Sequence, residues 1–97
     1  MPGYLIANVD VTNPDGYRAY AEQVGDSIAA HGGRYLARAG ATEVLEGDWQ
    51  PHRLVILEFP TLDAARAFYR SAEYERVKPL RLANSRGQVV ITAGLDG

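Results

Sequence analysis

One stretch limits what this chain can fold into more than any other. Arg53-Leu54-Val55-Ile56-Leu57-Glu58-Phe59 is a short apolar run rich in β-branched and aromatic residues, with Pro51 before it and Pro60 after it. That composition between two breakers predicts a strand with defined ends. Its alternation is weak, which predicts cover on both faces. Pro60-Thr61 then opens a helix, with Thr61 suited to the N-cap and Asp63 to the positive end of the helix dipole. Leu62, Ala65, Phe68, Tyr69 and Ala72 follow at helical spacing and form one apolar stripe, expected in the core. Upstream, Glu46-Gly47-Asp48-Trp49 holds the single Trp and reads as a turn in which Gly47 takes a positive φ.

The rest of the chain adds three more strands and two more helical segments. Tyr4 to Val11 alternates, placing Leu5, Ala7, Val9 and Val11 on one face and Tyr4, Ile6, Asn8 and Asp10 on the other. Asn13-Pro14-Asp15 is a helix start, and Tyr17, Tyr20, Ala21, Val24 and Ile28 recur at helical spacing until His31-Gly32-Gly33 stops them. His31 suits the last turn, where a cationic imidazole complements the dipole. Gly33 to Ala39 reads as a second strand, and Thr42 to Glu46 as a short further one, or as the continuation of the same strand past a bulge. Ser71 caps a short third helix, with a kink or break expected near Lys78 because Pro79 follows it. Asn84 to Gly87 reads as a turn, and Gln88 to Ala93 as the last strand.

Composition narrows the function classes. A chain of 97 residues suits one domain, here taken as residues 1–97, with a core thin enough that oligomerisation would help it. The net charge is −2 with acids and bases mixed, so no basic stripe points to nucleic acid. No run reaches transmembrane length and no leader is visible, so no membrane partner is expected. The absence of Cys excludes disulfides and thiolate chemistry and suits a cytoplasmic location. Two His without HExxH spacing argue against a metal site. No phosphate-binding glycine loop and no GxSxG motif occur, and no cofactor is expected.

The element order is βαββαβ, the pattern of a ferredoxin-like α+β domain: a four-stranded antiparallel sheet with helices on one face. The other face carries Tyr4, Ile6 and Ile56 and needs a cover. A twofold homodimer with the sheets face to face is the simplest closure. The same residues carry a resemblance. It runs through Tyr4 to Val11 with Tyr17-Arg18-Ala19-Tyr20, then Gly32 to Arg38 and Val44 to Trp49. It continues through Arg53 to Pro60 and Ala64 to Tyr69, leading to Ser71-Ala72-Glu73-Tyr74, with Arg81 beyond. On these pieces the chain resembles the small bacterial family catalogued as domain of unknown function 1330. The Leu45-to-Trp49 and Glu58-Phe59-Pro60 pieces are fairly specific to it. Ala72, where Pro is usual, and Pro79 depart from its pattern. The resemblance implies a dimeric α/β barrel, a homodimer and no settled activity.

Candidate site residues come from charge in apolar settings. Glu58 is a carboxylate inside an apolar strand, so it needs a cationic partner or a wet cavity. Asp10 is the other acid of that kind. Arg38 alternates onto the face of Leu36 and Arg34 and is the natural partner for Glu58 or Asp10. Tyr74 and Arg81 share a helix face. Two readings stand side by side. In one, the protein is a cofactor-independent enzyme acting on a small anionic or aromatic molecule. Glu58 and Asp10 then supply general acid/base chemistry, and Arg38, Tyr74 and Arg81 bind the substrate. In the other, it is a non-catalytic small-molecule-binding or stress-related accessory protein, and the same charges are interior salt bridges and dimer contacts.

Overall fold

The computed structural model describes residues 1–95. Its elements are β1 (Gly3–Val11), α1 (Pro14–Ala30), β2 (Arg34–Arg38), β3 (Arg53–Phe59), α2 (Leu62–Arg70), α3 (Ala72–Asn84) and β4 (Ser85–Ala93). The sheet order is β2-β3-β1-β4, with every neighbouring pair antiparallel. This is the ferredoxin-like α+β arrangement expected from the sequence.

Period-two patterning decides which face of the sheet is covered. Leu5, Ala7 and Val9 of β1 lie buried beneath the helices, and register sets Leu5 opposite Leu57 and Ala7 opposite Val55 on β3. Leu57 and Phe59 complete that face. The opposite face, with Tyr4, Ile6, Leu54, Ile56 and Val90, is open. So β3 is covered on one face, not on both as its weak alternation suggests. The helices close the core through aromatic rings: Phe68 sits 5.3 Å from Phe59 and 4.7 Å from Tyr74 between centroids. Each such buried ring contributes roughly 1.5–3 kcal/mol relative to exposure.

The helix ends follow the chain's punctuation. Pro14 begins α1, but the Asn13 side chain does not cap it; its amide donates instead to Asn84 Oδ1 at 3.0 Å, tying the start of α1 to the end of α3. At the other end His31 Nδ1 lies 2.9 Å from the Ser27 carbonyl, and Gly32 takes φ +76 to leave the helix. Thr61 Oγ1 caps α2 by accepting from Ala64 N at 3.0 Å. Ser71 is the joint between α2 and α3: its Oγ accepts from Tyr74 N at 3.1 Å and donates to the Phe68 carbonyl at 2.8 Å.

Four local expectations are corrected. α3 runs unbroken from Ala72 to Asn84 with Pro79 inside it. Pro79 lies on the exposed face, while Tyr74, Val77 and Arg81 anchor the buried face. Residues 42–46 form no strand; the whole connection 39–52 is irregular, with Gly47 at φ +85. The bulge falls earlier, inside β2 between Tyr35 and Ala37. Asn84 to Gly87 is no turn, because β4 begins at Ser85 directly after α3.

Candidate functional site

The bulge in β2 decides which side chains meet. Arg34 pairs with Glu58 and Tyr35 with Leu57, but Ala37 then pairs with Ile56 and Arg38 with Val55. Leu36 is the extra residue. A single inserted residue reverses the faces of everything after it. Arg34 therefore stays on the open face, while Arg38 turns to the helix side.

That side encloses a cavity of about 50 Å³. α1 packs mainly on α3, whereas α2 packs on β1, β3 and β4, so α1 spans the β2–β3 side of the sheet with space beneath it. The floor is apolar, from Ala7, Val9, Val55 and Leu57. The polar lining is four tyrosines, Tyr17, Tyr20, Tyr35 and Tyr74, and three arginines, Arg38, Arg53 and Arg81.

These groups form two clusters. Arg81 is 7% exposed, and its Nε donates to the Tyr74 hydroxyl at 3.1 Å. The Tyr74 and Tyr20 hydroxyls lie 3.0 Å apart. Burial, with Tyr74 beside it, pushes the Tyr20 phenol well above its ordinary value of 10.0. Burial opposes the charge on Arg81, yet the surrounding tyrosine oxygens outweigh it, and its pKa stands above its ordinary value. Nearer β2, Arg38 stacks on Tyr35 with its Cζ 4.7 Å from the ring centroid, and Arg53 lies 5.5 Å over Tyr17. Burial raises the Tyr17 phenol too, with Arg53 working in the opposite direction. Among the described residues, no carboxylate makes an ion pair with Arg38, Arg53 or Arg81.

The family model for a domain of unknown function, DUF1330, matches residues 2–95. The chain belongs to the DUF1330 family. No curated protein sequence matches it. Solved structures share the fold of this DUF1330 chain at low identity. A protein of unknown function from Rhodopseudomonas palustris, RPA0582, is 18% identical with a TM-score of 0.78, covering 99% of this chain and 84% of its own. A dimeric ferredoxin-like protein of unknown function from Jannaschia sp. is 15% identical with a TM-score of 0.67, over 97% and 100%. SnoaB, a cofactor-independent oxygenase from Streptomyces nogalater, is 10% identical with a TM-score of 0.65, over 99% and 95%.

Of the five site residues expected from the sequence of this DUF1330 chain, three meet and two stand apart. Arg38, Tyr74 and Arg81 all line the cavity. Glu58 and Asp10 lie on the open face of the sheet, as Tyr4 and Ile6 do. Glu58 is opposite Tyr4, and Asp10 is far enough along β1 to put about 20 Å between them. Glu58 has its cation, but it is Arg34, at 2.7 Å, and not Arg38. Asp10 has His52 Nδ1 at 3.9 Å. The remaining cavity cation, Arg53, escaped the sequence reading. Strict alternation from Leu57 and Val55 back to Arg53 would have found it, since all three point to the helix side.

Among the described residues no cluster of His, Cys, Asp and Glu can hold a metal ion. No helix among them is long and apolar enough to cross a membrane.

Proposed function

We propose that the protein binds a small organic anion in the cavity beneath α1, and that Arg38, Arg81 and Tyr74 hold it. One observation carries this reading: three guanidinium groups line a tyrosine-rich, apolar-floored cavity, and among the described residues no carboxylate pairs with them. Cations in such a setting are costly unless an anion arrives. Arg81 and Tyr74 also suit an oxyanion that grows during reaction, because fixed donors in a water-poor site favour charge where it develops. The likeness to the cofactor-independent oxygenase SnoaB supports turnover at the level of fold. The substrate class is then an acid, phenol or enol whose anion the cavity stabilises, without a bound cofactor.

A second reading has its own support. Among the described residues no Asp, Glu or His lines the cavity, so they supply no general base of those kinds to it. Binding without turnover is the reading that this favours. A homodimer closing the open face belongs to both readings; Tyr4, Ile6, Leu54, Ile56 and Val90 are its apolar centre.

Native mass spectrometry with a panel of small organic acids and their amides tests the site. Acids are expected to bind and amides not to. Arg81→Met, with its circular dichroism unchanged, is expected to weaken acid binding at least tenfold. Equal binding of acids and amides overturns the reading. Chemical change of a bound acid in air separates turnover from binding alone.

A further inference from the structure

Arg53 is the cavity cation with an unmet bond. It opens β3 opposite Val9, and its guanidinium lies over the Tyr17 ring. Its Nε is buried and has no hydrogen-bond partner. A buried donor on a charged group is costly to leave unmade. Arg81, by contrast, has already committed its Nε to Tyr74.

We propose that Arg53 receives the acidic head of the ligand side-on, through Nε and the adjacent terminal nitrogen, and that this head is a carboxylate. The proposal rests on the anion-binding reading and deepens it. Size is the first argument. The cavity of about 50 Å³ is well below the ~150 Å³ void that accommodates benzene. It suits a planar carboxylate better than the bulkier tetrahedral head of a phosphate or sulfonate. Geometry is the second. The Nε edge of a guanidinium is a planar fork that matches two carboxylate oxygens. Tyr17 lies against the guanidinium, its ring centroid 5.5 Å from Cζ, and helps to fix where the buried Nε sits in the cavity wall. The body of the acid then lies outward, toward the exposed Arg38 and its partner Tyr35 at β2.

The Arg Nε–H resonances of the full chain, followed by NMR, test this with three probes: benzoate, phenylphosphonate and benzyl alcohol. Benzoate is expected to shift the Arg53 Nε–H signal, assigned through bonds from the Arg53 backbone in the wild-type protein. Phenylphosphonate at equal concentration is expected to leave it in place. Arg53→Lys and Arg53→Met are each expected to weaken benzoate binding at least tenfold. The wild-type spectra decide the matter even where a variant fails to fold. Benzoate binding without movement of the Arg53 signal, or phenylphosphonate binding as tightly as benzoate, overturns this inference and leaves the anion site standing. Benzyl alcohol binding as well as benzoate, or no probe binding at all, overturns both.

Discussion

Arg81 Nε donates a 3.1 Å hydrogen bond to the hydroxyl of Tyr74, two turns earlier on the same buried face of α3. The Tyr20 hydroxyl lies 3.0 Å from the same Tyr74 oxygen, so one phenol ties α1 to α3 and partners a buried cation. Tyr74→Phe removes a bond to a charged group and is expected to cost about 1.5–3 kcal/mol. Tyr20→Phe removes a contact between neutral groups and is expected to cost about 0.5–1.5 kcal/mol. Urea denaturation of both variants measures the order; the reverse order would show that Arg81 does not depend on Tyr74.

Stability is expected to fall at alkaline pH. Burial raises the phenols of Tyr17 and Tyr20 above 10.0. In the unfolded chain they ionise near pH 10. Above that pH the folded state binds more protons than the unfolded one, so the free energy of unfolding decreases as pH rises. The slope is about 1.4 kcal/mol per pH unit for each such tyrosine. Denaturation between pH 9 and 11 tests this, and Tyr20→Phe is expected to flatten the slope. A flat profile for the wild-type protein would mean that both phenols ionise normally when folded.

Glu58 and Arg34 form their 2.7 Å ion pair on the open face, away from the cavity. Glu58→Gln and Asp10→Asn are therefore expected to leave ligand affinity within about twofold, the coupling typical of distant sites. Their effect belongs to association. In a monomer the partly exposed pair is worth about 0.2–1 kcal/mol. In a face-to-face dimer it is buried, and Arg34→Ala, which strands Glu58, is expected to raise the dissociation constant measured by sedimentation equilibrium. Loss of ligand binding in Glu58→Gln with the dimer intact would return that carboxylate to the site.

Pro79→Ala is expected to stabilise the protein. It restores an N–H inside an unbroken helix at an exposed position, where Pro costs up to about 3 kcal/mol relative to Ala. Thermal unfolding measures the gain. A lower midpoint would mean that the proline's missing bond shapes α3 in a way the buried Tyr74 and Arg81 require.

What the sequence determined by itself was local and periodic. Pro51 and Pro60 set the ends of β3, Thr61 and Ser71 set the starts of α2 and α3, and alternation placed Leu5, Ala7 and Val9 under the helices. These follow from backbone stereochemistry, capping and burial, which act over a few residues. The family also was legible there, because its motifs are contiguous. The site was only half legible. Arg38 was placed on the wrong face because the bulge at Leu36 leaves no mark in composition, and one inserted residue reverses every face after it. Its supposed partner Glu58 went to Arg34 for the same reason. Tertiary structure alone brought Arg53, Arg81 and the tyrosines of α1 around one cavity, because that meeting depends on how α1 spans the sheet. Strand register and helix placement are settled by contacts between residues far apart in the chain, and no local pattern encodes them.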